Sequence, residues 1–569
     1  MRSRKHKYIF VIGGVMSGVG KGVASSSIGK ILQAKGFKVN PIKVDPYLNV
    51  DAGTMNPTEH GEVFVLSSGL ECDQDMGNYE RFLDLDLGPD DYITSGMVYR
   101  HVIEKERNLG YKGKCVEAIP HITGEITRRI VSAGETSGSD ISVIEIGGTV
   151  GDYQNILFID AARVLRLRNP DDVIFILVSF LPVPSSLGEM KTKPTQNAVR
   201  ELNSYGVQPD IIIARASLPL DAKRKEKIAI SCSVSVENVI SAPDIASIYD
   251  VPLNFEKDNL GTIILESLEL KSRVKKDGLA KWRSFVNRGK TAIEELSIAI
   301  IGKYFDTGDF VLSDAYISVI EAVKSSANKL GRVPKLSWLS AKEFSAGGGS
   351  LPDGGRGVLG GETGGKDVTM LKNFDGVIVP GGFGETGIEG KLKAIQYARE
   401  HKIPYFGLCY GMQLAVIEYA RNVLGIKGAT TSEIEPATEH PVIDIMPEQK
   451  KNLAEGKYGA TMRLGSYPAH LKQGTIARRA YGREVIMERH RHRYEVNPSY
   501  IAELEKVGLV FSGRSPDGVL MEIAELPKKK HPFFLGTQFH PEFQARPLSP
   551  HPLFTAFLKS ADERRRKRK

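Results

Sequence analysis

Cys409 sits between two glycines in the run Gly407-Leu408-Cys409-Tyr410-Gly411, and His540-Pro541-Glu542 follows near the C-terminus. Small residues two before and two after a nucleophile permit the strained strand-to-helix turn that lifts it clear of the backbone. The apolar Ile403-Pro404-Tyr405-Phe406 reads as the strand before that turn, and Gln413-Leu414-Ala415-Val416-Ile417-Glu418-Tyr419 as the helix after it. A thiol at such a helix start meets unpaired N–H groups, which favour the thiolate and bring its pKa below the free value of about 8.5. His540 would then be the base and Glu542 would orient it. Cys409 alone would read as a structural core residue; the three together read as a triad.

A second chemistry is written near the N-terminus. Tyr8-Ile9-Phe10-Val11-Ile12 reads as a buried strand that runs into Gly13-Gly14-Val15-Met16-Ser17-Gly18-Val19-Gly20-Lys21-Gly22, with a helical stretch after it. Strand, Gly-rich loop and helix make a phosphate cradle, with inward backbone N–H groups and a lysine for the outer phosphates. The strict P-loop pattern is not met. Val15 stands where it has Gly, and Gly22 replaces the hydroxyl residue that would bind Mg²⁺. A metal here needs other oxygen ligands, and Asp75 and Glu145 are the candidates.

The Cys409 run, with Pro380-Gly381-Gly382-Phe383-Gly384 and His540-Pro541-Glu542, resembles the class I (triad) glutamine amidotransferases. That resemblance implies attack by Cys409 on the side-chain amide of glutamine, a glutamyl thioester and release of ammonia. It makes Gly382 and the N–H of Tyr410 the oxyanion-hole positions. It adds Gly411, Met412, Gln413 and Glu433 to the glutamine site, with Arg493 for the α-carboxylate in competition with its arginine neighbours.

Four further runs widen the resemblance to nearly the whole chain. Lys43-Val44-Asp45-Pro46-Tyr47-Leu48-Asn49-Val50-Asp51, His60-Gly61-Glu62-Val63-Phe64-Val65, Glu145-Ile146-Gly147-Gly148-Thr149-Val150-Gly151-Asp152 and Lys191-Thr192-Lys193-Pro194-Thr195-Gln196 are similar to those of CTP synthases. The resemblance implies that ATP phosphorylates O4 of UTP and that ammonia displaces the phosphate to give CTP. It assigns Ser17, Gly18, Val19, Gly20, Lys21, Gly22 and Asp75 to ATP, with Asp244 and Ile245 on the adenine side and Lys43 as a further phosphate contact. Mg²⁺ falls to Asp75 and Glu145. UTP or CTP falls to Ser17, Asp152, Tyr153, Gln154, Lys191, Thr192, Lys193, Pro194, Thr195, Gln196 and Lys227, the lysine pair being expected on a loop before Pro194. Many relatives carry Glu where this chain has Gln154, so the pyrimidine contact there loses a charge. The resemblance further implies a homotetramer, CTP as feedback inhibitor and GTP as allosteric activator.

These groups need elements to hold them. The first half alternates apolar runs such as Val173-Ile174-Phe175-Ile176-Leu177-Val178 with helical stretches, the pattern of a doubly wound parallel α/β sheet. We expect this amidoligase domain over 1–271, a charged linker over 272–295, and a second α/β domain over 296–560, opened by Leu296-Ser297-Ile298-Ala299-Ile300-Ile301. Within it, residues 345–366 hold ten Gly in 22 residues, too little apolar surface to offset chain entropy, so a surface insert is expected. No internal repeat is evident; the halves share fold class only.

Composition is that of a globular cytoplasmic enzyme: 569 residues, 41% hydrophobic and 25% charged, with no apolar run long enough to span a membrane. Four cysteines without paired metal-ligand spacing argue for a thiol-reduced chain. The formal charge of +8 suggests nucleic acid, but Arg2, Arg4, Lys5, Lys7 and the run 564–569 more than account for it. That places basicity at the ends, and 561–569 is expected to be a disordered tail without specific nucleic-acid binding.

Two other readings compete. Another ATP-dependent amidoligase with a fused glutaminase, such as a cofactor side-chain amidase, would share both the loop and the triad; the lysine-rich run 191–196 favours a nucleotide acceptor instead. A silent scaffold or filament protein would have no use for Cys409, His540, Glu542, Lys21, Asp75 and Glu145 together.

Overall fold

The unbroken apolar run at residues 8–12 forms the strand Lys7–Gly13, central in a seven-stranded sheet. The computed structural model describes residues 5–184, 188–302, 313–344, 367–382, 387–446, 449 and 462–568. Across that sheet the order is Tyr92–Thr94, Val39–Asp45, Ile141–Ile146, Lys7–Gly13, Val173–Phe180, Ile211–Ala216 and Val239–Pro243. Every neighbouring pair is parallel. Such strands are covered on both faces, which is why their sequences read as continuous rather than alternating apolar runs. One face packs on Lys21–Ala34 and Leu260–Ser267, through Ile28, Ile31 and Ile264. The other packs on Thr123–Ser137, Ile156–Arg168, Lys193–Ser204 and Ala222–Cys232. In a doubly wound sheet ligands gather beyond the carboxyl ends of the strands. Here those ends are Gly13, Asp45, Ile146, Phe180, Ala216 and Pro243.

A nine-stranded sheet is built from the second half. Val333–Ser340, Glu295–Gly302, Gly376–Val379, Tyr405–Leu408 and Phe534–Thr537 run parallel, and Met521–Glu525, Val510–Arg514, Arg463–Leu471 and Val485–His492 continue it antiparallel. Alternate residues of Glu295–Gly302 feed different cores, Ala299 and Ile301 on one face, Ile298 and Ile300 on the other, as the period of two requires.

Contacts divide the chain into Met1–Ala52 with Asp75–Asn287, and Gly53–Gln74 with Arg288–Lys569. The second grouping is wider than the sequence boundaries: residues 53–74 pack with the C-terminal half, and 288–295 and 561–569 join it as well. Much of the expected linker is also docked: in Ala280–Thr291, Trp282 is buried and donates to Tyr249 O at 2.8 Å. The Gly-rich insert 345–366 lies outside the described residues.

The basic tail is a correction. Residues 561–568 complete the helix Pro552–Arg568, whose Phe554, Phe557, Leu558 and Ala561 are buried. Arg565 bonds Glu294 at 2.9 Å and Asp562 at 3.1 Å, and Arg568 bonds Asp375 at 3.2 Å. The run has specific acidic partners in the same unit, which composition alone could not show.

Candidate active sites

Cys409 adopts φ 49° and ψ −100° and caps the helix Tyr410–Asn422, directly after the strand Tyr405–Leu408. A side chain at positive φ is strained, and such strain is held where packing over-determines it. The flanking glycines make it possible. A Cβ at Gly407 would lie 2.6 Å from the carbonyl carbon of Gly411, and one at Gly411 only 2.1 Å from Val379 O. Gly381 is needed for a different contact, since a Cβ there would come within 2.9 Å of His540 Cε1.

The base and its partner are joined, His540 Nδ1 to Glu542 Oε1 at 2.7 Å. Burial alone would lower the His540 pKa, but the Glu542 carboxylate and the Cys409 sulfur outweigh it and hold the imidazole up at about 10. The ring is therefore positively charged at neutral pH, the state that stabilises a neighbouring thiolate. Cys409, His540, Glu542, Gly381, Gly382 and Arg491 line a narrow cavity of about 60 Å³.

Around it stand the other expected residues. Gln413 is buried and spends its amide on Tyr494 O at 2.9 Å and Gln538 Oε1 at 3.2 Å. Burial raises the Tyr494 phenol, with Glu433 adding and Arg493 opposing. Met412 points into the core, against Gly536. Arg491, not Arg493, reaches the cavity beside Cys409.

In the first unit, Gly18 and Gly20 take φ 69° and 81°, and Gly20 caps Lys21–Ala34. Gly22 answers the missing hydroxyl. A Cβ on Gly22 would lie 2.0 Å from Asp75 Oδ1, so the carboxylate fills the space a P-loop Ser or Thr would use. Lys43 Nζ gathers the acids: Asp75 at 2.6 Å, Glu145 at 3.0 Å and Asp45 at 3.6 Å. Burial raises Glu145 and Asp45 above the usual carboxylate range against the pull of Lys43. At Asp75 burial acts the same way but Lys43 wins, and the pKa falls. Lys21 donates to Gly148 O at 2.7 Å, and burial lowers its pKa, with Glu145 opposing. Among the described residues no group of three or more His, Cys, Asp or Glu is placed to hold a metal. Two carboxylates beside a phosphate loop nonetheless fit Mg²⁺, which takes few protein oxygens and the rest from phosphates and water.

Beside Gly20 opens a cavity of about 300 Å³, lined by Asp244 and Ile245 together with Val178, Ile213, Pro243 and Phe255. Arg215 also lines it, bonded to Asp244 at 2.9 Å. Apolar walls with a few polar groups suit a flat heteroaromatic ring. Val19 turns into the core instead, while Ser17 is exposed.

Residues 7–270 match the family described as CTP synthase N-terminus, and 311–560 match glutamine amidotransferase class-I. The CTP synthase of Thermococcus gammatolerans is 48% identical over 561 residues, covering 98% of this chain and 99% of that one. That of Methanothrix thermoacetophila is 48% identical over 564 residues, with 99% and 98% covered. A solved structure titled Trypanosoma brucei CTPS glutaminase domain with bound acivicin is 33% identical, covers 47% of this chain and 94% of that chain, and has a TM-score of 0.40. The chain belongs to the CTP synthase family.

At the positions that CTP synthase resemblance gives to the pyrimidine, one expectation shifts. Thr192 caps the helix Lys193–Ser204, so Lys193 is its first residue and only Lys191 stays on the loop, bonded to Glu189 at 2.7 Å. Pro194 suits that first turn because its missing N–H is not needed there. Lys191 and, more weakly, Lys227 hold the Glu189 carboxyl down. Thr195 and Gln196 spend their side chains internally, on Ser179 at 2.9 Å and Thr192 at 3.1 Å. Asp152 accepts from Thr149 N at 2.7 Å and Thr149 Oγ1 at 2.9 Å, while Tyr153 and Gln154 are exposed. Sequence reasoning passed over Asp45, Arg215 and Gln538. Asp45 had a signal, since residues two apart on a strand share a face with Lys43. Gln538, 3.6 Å from Cys409 Sγ, had none.

Among the described residues no helix is long and apolar enough to cross a membrane.

Proposed function

We propose that this protein makes CTP from UTP, ATP and the amide nitrogen of glutamine. The observation that carries the reading is the strained Cys409, capping a helix beside the bonded pair His540–Glu542, in one chain with a phosphate loop closed by Asp75. Cys409, as thiolate, attacks the glutamine amide carbon. Gly382 and the Tyr410 N–H take the developing oxyanion, and the His540 proton passes to the leaving ammonia. Water then hydrolyses the thioester with His540 as base. Gln413, Glu433 and Arg493 hold the glutamine; the charge of Glu433 and Arg493 felt at the Tyr494 phenol supports this, and Arg491 lines the cavity beside the sulfur.

In the other unit, residues 17–22 and Lys21 cradle the ATP phosphates, the Asp244–Ile245 cavity takes adenine, and Lys191, Lys193 and Lys227 hold UTP with Asp152, Gln154 and Gln196. Asp75 and Glu145 would hold Mg²⁺, which supplies charge neutralisation at the transferred phosphoryl group. Lys43, already between these acids, keeps them paired and ready. A homotetramer, CTP feedback, GTP activation and a cytoplasmic setting are the family's implications and enter here as proposals. The domain limits 1–271 and 296–560 do so as well.

The test is CTP formation from UTP with ATP and Mg²⁺, comparing glutamine with ammonium. Product from both supports the reading, and product from neither refutes it. The alternative amidoligase would aminate a carboxyl acceptor and leave UTP untouched.

A further inference from the structure

Residues 53–74 fall within the stretch that matches the CTP synthase N-terminus, yet they pack in the unit that carries Cys409. Three of their contacts end on the groups that set the nucleophile and its base. The Arg491 carbonyl lies 3.8 Å from Cys409 Sγ, while the Arg491 Nε donates to Glu71 Oε1 at 2.8 Å. Two residues earlier, the Arg489 carbonyl accepts the backbone N–H of His540 at 2.8 Å. Its wholly buried guanidinium donates to Ser67 Oγ and Val65 O, each at 3.1 Å. The third contact is aromatic. Phe543 stacks on the His540 ring with centres 5.0 Å apart, and Phe64 packs against Phe543 edge-on, also at 5.0 Å.

Arg489 and Arg491 share a face of the strand Val485–His492 because they are two apart. Each therefore has its backbone on a member of the triad and its side chain on the 53–74 segment. A strained thiol and a charged ring depend on such supports, since neither is in a conformation it would hold unaided. The segment also has a particular origin. It follows the strand that ends at Asp45 and returns to the first unit at Asp75, and both acids sit on Lys43.

We infer that Arg489, Arg491 and Phe543 are positioning residues through which the 53–74 segment sets the geometry of the Cys409–His540 pair. Glutamine turnover thereby depends on a segment whose two ends lead to the phosphate-site acids. The inference rests on the triad roles proposed above and adds to them which residues tune the centre.

The test uses full-length Glu71→Gln, Arg491→Gln and their double variant, with Phe64→Leu, which removes the ring but keeps an apolar side chain, as a fourth protein. Glutamine hydrolysis is measured for each, and ammonia-dependent CTP formation for Glu71→Gln and Phe64→Leu as a check on folding. Displacing reacting groups by about 1 Å costs on the order of 100-fold. We expect kcat for glutamine to fall between about 10- and 100-fold, with KM changed less than about twofold. The double variant should lose no more than the worse single variant, because both remove one contact. An unchanged kcat, a loss carried by KM alone, or losses that multiply in the double variant overturn the inference. Should the Glu71 variants not fold, Phe64→Leu decides by the same kcat criterion. A wild-type protein that hydrolyses no glutamine refutes the triad reading instead, so the two failures are distinguishable.

Discussion

At Gly22 a substitution that looks like a repair should do damage. Restoring the P-loop hydroxyl with Gly22→Ser would drive a Cβ into Asp75, 2.0 Å from Oδ1. Overpacking of that kind costs about 1–3 kcal/mol, so ammonia-dependent CTP formation should fall roughly 10- to 100-fold. Turnover equal to wild type would mean Asp75 moves aside freely. His540 makes a second prediction at this scale. Its pKa stands at about 10 because Glu542 and Cys409 overcome burial. With the folded value above the usual 6.5, the proton is held through neutral pH and lost as pH rises through the folded value. Glu542→Gln removes the largest raising influence, so the alkaline fall in kcat/KM for glutamine should move to lower pH. A profile that stays in place would detach His540 from Glu542.

Elements carry the next set of consequences. The helix Pro552–Arg568 lies against the core behind the nucleophile strand, with Phe557 5.8 Å from Phe406 between ring centres. Its last turns, basic in sequence, bond Glu294, Asp562 and Asp375. Truncation after Ser560 should therefore lower the urea midpoint of the second unit, whereas loss of a disordered tail would leave it unchanged. Equal midpoints for the two proteins would count against the docked helix. The strand Val485–His492 shows the same economy, presenting Arg489 and Arg491 to one side and His490 and His492 to the other, the two histidines with pKa values lowered by burial.

For the whole molecule the decisive experiment separates the two chemistries. Cys409→Ala removes the only thiol in the 407–411 turn, and losing a nucleophile costs several orders of magnitude. Glutamine-dependent CTP formation should drop below detection. Synthesis from added ammonia should continue near the wild-type rate, because the residues proposed for ATP and UTP lie in the other unit. Retained glutamine use would refute the nucleophile; loss of both activities in a folded variant would mean tighter coupling than a shared chain requires.

Much of this was legible from residue order alone. The elbow around Cys409, the phosphate loop, the parallel strands and the family's motifs are local patterns, written within a few residues of one another, and local sterics or periodicity is enough to read them. Tertiary structure decided what depends on residues far apart. Asp45 joins Asp75 and Glu145 only because Lys43 pairs with all three. Gln538 reaches Cys409 only because the strand it follows, Phe534–Thr537, lies parallel to Tyr405–Leu408. The basic terminus is held as a helix because Glu294 and Asp375, each just ahead of a distant strand, meet its arginines. Residues 53–74 read as part of the first half, because sequence records neighbours along the chain; packing with Arg489, Arg491 and Phe543 assigned them to the second.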